Sequence, residues 1–386
     1  MTQTLSRRGL MAGGMAAGAL TISWLERSAF GSEKLAEGDE LLPFLDPQPI
    51  DPERPMLAWE KLQDWITPAD QFFDVSHYGK PTVDMDHWRL GIEGLVEKPR
   101  SFSLDELKAR PKREFVATLE CSGNGAAPKF MGAIGNARWT GTPLGPLLKE
   151  CGLKPGGREV VFWGADEGKE KIRDAEYPQN FARSLSLGAA QSDDVILAYA
   201  MNGEPLTSGH GFPLRLVVPG WYGIAWVKWL ARIEVRDRRF MNRFMARDYV
   251  TIRGEQKDGK TVWRETSVGP MNVKSLVARV VRHKNGTLGV SGAAWSNGGR
   301  IERVELKIDD GPWTQVELNR DKSKTAPFAW TFWSYDWNGA APGEHRLVSR
   351  ATDSKGRVQP AADDPQIALK KTYWEANEQV VRRVKV

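Results

Sequence analysis

Cys121 is the first residue of this sequence with reactive chemistry to offer. It follows the apolar run Phe115-Val116-Ala117-Thr118-Leu119 and opens the turn Cys121-Ser122-Gly123-Asn124-Gly125. The run reads as a buried strand, and a strand breaking into a Gly-rich turn exposes a side chain at a pocket floor. A thiolate placed there is a nucleophile or a soft ligand for a transition metal. Two plainer readings stand beside these. Cys121 could be a small buried hydrophobe, or it could pair with Cys151 in an oxidising compartment. Two Cys and five His in 386 residues exclude a disulfide scaffold, a Cys-rich metal site and a C-x-x-C-H haem attachment.

The second candidate is the segment His210-Gly211-Phe212-Pro213-Leu214-Arg215, followed by Pro219-Gly220-Trp221-Tyr222-Gly223 and Lys228. Gly turns present backbone N–H groups and an arginine presents a forked donor, which together suit an anion such as a phosphate. A basic hairpin with a core-facing Arg salt bridge fits the spacing equally well.

These residues must be held by an ordered frame. From Asp70 to about Val250 strands and short helices alternate, which predicts an α+β domain over 70–267. Leu144 to Cys151 reads as a helix opened by Thr142-Pro143 and stopped at Gly152. Glu159 to Trp163 reads as a strand ending in the loop Gly164-Ala165-Asp166, and Leu214 to Val218 as a strand closed by Pro219-Gly220. Beyond Val268 the pattern changes. Arg303 to Ile308 alternates with period two, Asp309-Asp310-Gly311-Pro312 turns, and Trp313 to Leu318 returns as a hairpin. Further short strands at Trp330 to Trp333 and His345 to Ala351, without helices, predict an all-β immunoglobulin-like sandwich over 268–386.

Before the α+β domain, residues 32–69 are rich in Pro and acidic residues and read as an extended arm. Residues 1–31 carry Arg7-Arg8 ahead of a weakly apolar Gly/Ala run, which resembles a twin-arginine signal for export in the folded state. An uncleaved membrane anchor is the alternative. A net charge of +5, from 54 basic and 49 acidic residues without a basic block, gives no indication of a nucleic-acid groove. Sixteen Trp is high, and each buried indole needs a partner for its N–H.

Four motifs taken in order carry a resemblance. They are Thr118-Leu119-Glu120-Cys121-Ser122-Gly123-Asn124, Gly164-Ala165-Asp166, the stretch Leu197 to Leu206, and His210 to Lys228. Over roughly residues 66–383 the chain resembles the sulfite oxidase family of molybdenum enzymes. The resemblance implies a mixed α/β molybdopterin-binding domain followed by a dimerisation sandwich. It implies Mo-molybdopterin, a molybdenum with one pyranopterin dithiolene, as cofactor. Residue by residue, Cys121 matches the molybdenum ligand. Asp166, His210, Arg215, Trp226, Val227 and Lys228 match positions that hold the pterin and its phosphate. Phe73 to His77 matches another cofactor-contacting loop, with Phe73 and His77 retained, and Tyr249 matches the active-site tyrosine.

The departures concern charge. The family loop Phe-x-Arg-x-His reads here Phe73-Asp74-Val75-Ser76-His77, and Gly125 and Ala126 stand where arginines are frequent. Lys129, Arg138 and Arg383 are the expected compensating cations. The resemblance implies a periplasmic oxidoreductase acting on sulfite or a related sulfur oxyanion by oxo transfer. With the family's haem-bearing domain not found ahead of the catalytic region, electrons are expected to pass to a separate periplasmic cytochrome c. Two other readings stay open: an S-oxide or N-oxide reductase on the same cofactor, and a non-enzymatic, Trp-rich β-sandwich module.

Overall fold

The computed structural model describes residues 35–46, 55–62, 64–125 and 130–386. The paired arginines and the proposed signal, Ala126 and Lys129 lie outside these residues.

Two five-stranded sheets frame the first domain. In one, strands Arg113–Glu120, Ile134–Pro143, Ile196–Met201 and Arg215–Val217 run antiparallel side by side, with Glu204–Pro205 folding back on Ile196–Met201. In the other, Leu230–Arg236 lies parallel to Leu90–Gly94 and antiparallel to Glu159–Ile172, which pairs in turn with Ala175–Ser186. The helix Leu144–Cys151 forms as its sequence predicts. Its apolar positions Leu144, Leu147, Leu148 and Cys151 are buried, and Gly152 ends it at φ 71°. Both cysteines are free, which removes the disulfide reading.

Glu159 to Trp163 does not end in a loop. The strand continues to Ile172, and between Trp163 and Glu167 the register slips so that Gly164, Ala165 and Asp166 stand opposite Phe181 alone. This bulge re-aims side chains within an unbroken ladder. It turns Asp166 and Phe181 into one cavity. Gly164 is required there, since a Cβ would lie 2.3 Å from Asp166 Oδ1.

The second domain is a sandwich of two sheets. One holds Lys274–Arg282, Leu288–Trp295, Thr331–Trp337 and Glu317–Leu318, and the other holds Thr314–Gln315, Ile301–Ile308, Glu344–Asp353 and Val381–Lys385. Val277, Val290, Val304, Leu306, Trp333 and Leu347 fill the space between them. The expected return strand Trp313 to Leu318 is split. Thr314–Gln315 pairs with Ile301–Ile308, while Glu317–Leu318 crosses to Thr331–Trp337, with buried Val316 at the crossing. The region read as helix-free holds a 3-10 turn, Lys322–Lys324, and one short α-helix, Pro365–Ala368. The N-terminal arm adds Glu40–Leu42 as an edge strand to Lys274–Arg282.

Tryptophans join the two domains. Trp59 stacks on Trp295 at 6.0 Å, and Trp65 and Trp330 each donate an indole N–H to the other's carbonyl, at 3.1 and 3.0 Å. The deepest joint is ionic. Glu120, fully buried beside Cys121, accepts from Lys274 Nζ at 2.9 Å, Asn124 Nδ2 at 3.0 Å and Trp295 Nε1 at 2.7 Å. Lys274, from the sandwich, also donates to the carbonyls of Asn124 and Ala376, at 2.6 and 2.8 Å.

Candidate active site

Cys121 sits where the sequence predicts, at the end of Arg113–Glu120. Its N–H donates to Ala133 O at 2.9 Å, and its carbonyl accepts from Asn124 N at 2.9 Å, which closes the turn. The half-buried thiol lines a cavity of about 620 Å³, part of it open to solvent. Phe73, His77, Asp166, Arg215, Trp226, Lys228 and Tyr249 line the same cavity. Six chain segments thus meet at one point, among them three of the four motifs, Leu197 to Leu206 being the exception. Burial pushes the Cys121 thiol up to about 11, so its thiolate form needs a cation to compensate it. Among the described residues no set of three or more His, Cys, Asp or Glu converges to hold a metal. A metal at Cys121 must therefore bring its other donors with it.

The wall beside Cys121 is prepared for such a group. Asp166 Oδ1, His210 Nε2 and Arg215 Nε are buried and have no hydrogen-bond partner within the protein. Buried polar atoms left unpaired cost about 1–3 kcal/mol each, so three in one place indicate a polar ligand. Their remaining atoms are fixed. His210 Nδ1 shares a 2.6 Å hydrogen bond with Thr207 Oγ1, and Arg215 donates to the carbonyls of His210 and Trp226, at 3.0 and 3.3 Å. The Arg215 guanidinium lies 4.9 Å from the Trp139 ring and 5.9 Å from that of Trp226. Gly211, at φ 101°, lets this loop approach the segment that leads into Leu230–Arg236, since a Cβ there would meet Lys228 Cβ at 3.0 Å. Lys228 Nζ donates to Asp74 at 2.8 Å and to Gly209 O at 2.8 Å. Burial lowers Lys228 to about 8 against the pull of Asp74, and lowers Arg215 to about 9. Both are cations at neutral pH, as anion binding requires. Burial raises the Asp166 carboxyl to about 6. Val227 is buried and His210 stands behind the cavity wall; neither is among the lining residues.

Tyr249 faces Cys121 from the far side. A wide helical turn at Arg243–Arg247 precedes it, and Tyr249 itself takes φ 56°, a region costly for a bulky side chain. The conformation is held by Val268 N–H donating to Tyr249 O at 2.8 Å, and by buried Arg183 donating to the carbonyls of Phe244 and Val268. The Tyr249 hydroxyl and His77 Nε2 share a hydrogen bond of 2.6 Å. Burial, helped by Arg243 and Lys228, lowers His77 to about 4, and burial with Arg215 does the same to His210.

These values fix a stability prediction. Both histidines titrate near 6.5 when unfolded and near 4 when folded, so the stability they confer is complete above pH 6.5 and is lost as pH falls towards 4. Asp166 has the opposite sign, since its folded value lies above the unfolded 3.8, and it offsets about one histidine below pH 6. A tenfold change in proton affinity is worth about 1.36 kcal/mol. Stability read from urea unfolding should therefore drop by a few kcal/mol net as the pH falls across that window. His210→Gln should flatten that drop.

Of the expected compensating cations, Arg138 and Arg383 are not at the site, and Lys129 lies outside the described residues. Arg138 is exposed and paired with Glu114 at 3.3 Å. Arg383 is exposed on the last strand, where alternation turns its neighbour Arg382 inward onto Asp46 and Glu60. Val75 does line the cavity. Residues given no role from sequence complete the site: Phe181, Gly223, Ile224 and Trp229 line the cavity, Asp74 holds Lys228, Arg183 holds the backbone around Tyr249, and Trp374 stacks on Tyr249. Phe181, Arg183, Trp229 and Trp374 belong to no motif.

Comparison with known proteins gives concordant matches. The family model described as oxidoreductase molybdopterin binding domain matches residues 77–244, and that described as Mo-co oxidoreductase dimerisation domain matches residues 265–374. The sulfite oxidase of Gallus gallus is 35% identical over 326 residues, which cover 78% of this chain and 69% of that one. The mitochondrial sulfite oxidase of Drosophila melanogaster is 32% identical, and the chain spans 56% of its length. Among solved structures, the sulfane dehydrogenase SoxCD of Paracoccus pantotrophus matches with TM-score 0.72 and 30% identity, over 94% of this chain and 95% of that one.

Proposed function

The chain belongs to the sulfite oxidase family of molybdopterin-dependent oxidoreductases, and on that premise we propose that it oxidises a sulfur compound by adding an oxygen atom. The observation that carries this reading is the pairing of one thiol, Cys121, with three orphaned polar atoms on Asp166, His210 and Arg215. Family membership speaks against the non-enzymatic module. When bound, Mo-molybdopterin supplies two-electron oxygen-atom transfer at the metal. The protein's own part is to hold, orient and neutralise. Cys121 gives the metal its soft protein ligand. Arg215 and Lys228 would offer cations to the cofactor's phosphate and Asp166 would pair with a polar group of the pterin, while His210, behind the lining residues, would hold Arg215 through its carbonyl. Asp74 positions Lys228, and its second ion pair, with Lys80 at 2.6 Å, keeps that carboxylate in place.

Tyr249 is the residue placed to act beside the metal. Burial raises its phenol well above the ordinary value, so it stays protonated and works as a hydrogen-bond donor. Neutral His77 fixes the hydroxyl. Tyr249→Phe keeps the ring stack and removes only that bond, so kcat should fall by about 10²-fold with KM nearly unchanged. Equal losses in a distant control would count against the assignment.

We place the enzyme in the periplasm, exported folded with its cofactor, as a homodimer through the second domain that hands electrons to a separate cytochrome c. The Arg7-Arg8 pair supports the location, and the matched dimerisation domain supports the assembly. Arg7→Lys with Arg8→Lys should strand folded, loaded enzyme in the cytoplasm, read by fractionation. Normal periplasmic accumulation of that variant would refute the export route. Reduction of two ferricytochromes c per oxygen atom added to sulfur tests the reaction itself. Dye-driven reduction of an S-oxide or N-oxide, with no sulfur oxidation, would favour the reverse direction.

A further inference from the structure

Aromatic rings stand against the Cys121 turn. Trp374 stacks on Tyr249 with centroids 4.1 Å apart, and Tyr373 lies 4.0 Å from Trp374. Both reach the cysteine turn, since a Cβ on Gly123 would stand 3.4 Å from Tyr373 and 3.7 Å from Trp374. Both Val75 and Tyr373 are exposed; Val75 lines the Cys121 cavity and Tyr373 the cavity next to it. Beyond Tyr249 and His77 opens a second cavity, which these two residues also line, and which holds Arg243, Arg247, Asp248 and Glu265.

Among the described residues, the cations near this route each hold a carboxylate or carbonyl partner. Arg243 pairs with Glu170 and, at 2.6 Å, with Asp248. Arg247 donates to the Tyr177 hydroxyl at 3.2 Å and lies 4.0 Å from Glu170. Lys228 and Lys80 share Asp74. Arg215 is held on the cofactor side between two indoles. Buried Arg183 spends its terminal nitrogens on backbone carbonyls. Cations that already hold carboxylate or carbonyl partners offer an entering dianion weaker charge-assisted hydrogen bonds to replace its lost hydration. Polarisable divalent sulfur, in contrast, gains from contact with aromatic rings.

We propose, resting on the sulfur-oxidising reading above, that the substrate is an uncharged thioether rather than sulfite. The reaction is R–S–R′ + H2O → R–S(O)–R′ + 2H⁺ + 2e⁻. One S–O bond forms from the sulfur lone pair, water supplies the oxygen, and two ferric cytochromes take one electron each. Val75 and Trp374 set this preference through the apolar and aromatic surface they present beside the cysteine turn.

The test uses the holoenzyme with ferricytochrome c as acceptor, and methyl phenyl sulfide and sulfite as substrates. The sulfide should have the larger kcat/KM by at least about tenfold, and the ratio should hold between about 20 and 200 mM salt. Val75→Arg with Trp374→Arg should raise kcat/KM for sulfite about tenfold and lower it for the sulfide. Opposite movements in one variant separate specificity from damage to the fold. Preferential sulfite turnover that weakens with salt would overturn this inference and leave sulfur oxidation standing. Oxidation of neither compound by molybdenum-replete enzyme would overturn both.

Discussion

Replacing Cys121 by serine should lower turnover by about three orders of magnitude, equivalent to some 4 kcal/mol of transition-state stabilisation, with the fold unchanged. The thiol makes none of the hydrogen bonds that close the turn, and serine is nearly isosteric, so exchange of sulfur for oxygen disturbs the packing little. What changes is ligand chemistry. A hydroxyl is harder and far less acidic than a thiol, and in this buried setting it will not become an anion. Pterin content should stay close to wild type, because Asp166, His210, Arg215 and Lys228 are untouched. Cys151→Ser is the control. Cys151 is buried at a helix end, packed in the core, and should cost stability at most. Wild-type turnover by the Cys121 variant would show that the thiol is not the metal's ligand.

The second large effect concerns the ion pair behind that cysteine. Lys274→Met leaves Glu120 fully buried beside the turn with its charge uncompensated, and such a loss costs about 3–5 kcal/mol. Lys274 also clamps the carbonyls of Asn124 and Ala376, so both the cysteine turn and the segment after Trp374 should loosen. Urea unfolding should report the destabilisation, and hydrogen exchange should localise it to these two segments. Adding Glu120→Gln should restore much of the loss, because the remaining amide can be neutral and still accept from Trp295. No rescue by the second substitution would mean that packing, and not charge, is what Lys274 provides.

The local parts of this site were legible because local physics decides them. Phe115 to Leu119 is apolar and ends in a Gly-rich turn, and Leu144 to Cys151 carries both its start and its stop. The bulge at Gly164–Asp166 was not legible, since its three-against-one mismatch exists only relative to Phe181 on the partner strand. Trp374 and Lys274 reach the cysteine turn from another domain, the latter across 154 positions of sequence from Glu120, and no spacing rule links them. Arg383 was misplaced by strand alternation, which directs Arg382 inward and turns its neighbour to solvent. The pattern is consistent. Residue types announced the chemistry, while register and domain contacts chose the charge and shape of the entrance.

Every functional statement above depends on Cys121 and the Asp166, His210, Arg215 and Lys228 wall forming a molybdopterin site. Molybdenum by plasma mass spectrometry and released pterin by fluorescence, both on folded wild-type protein and on Cys121→Ser, address it directly. Equimolar molybdenum and pterin per wild-type chain are expected, and near-full pterin with altered sulfur ligation by X-ray absorption in the variant. Active wild-type enzyme lacking molybdenum, or an unchanged sulfur shell in the variant, would contradict it.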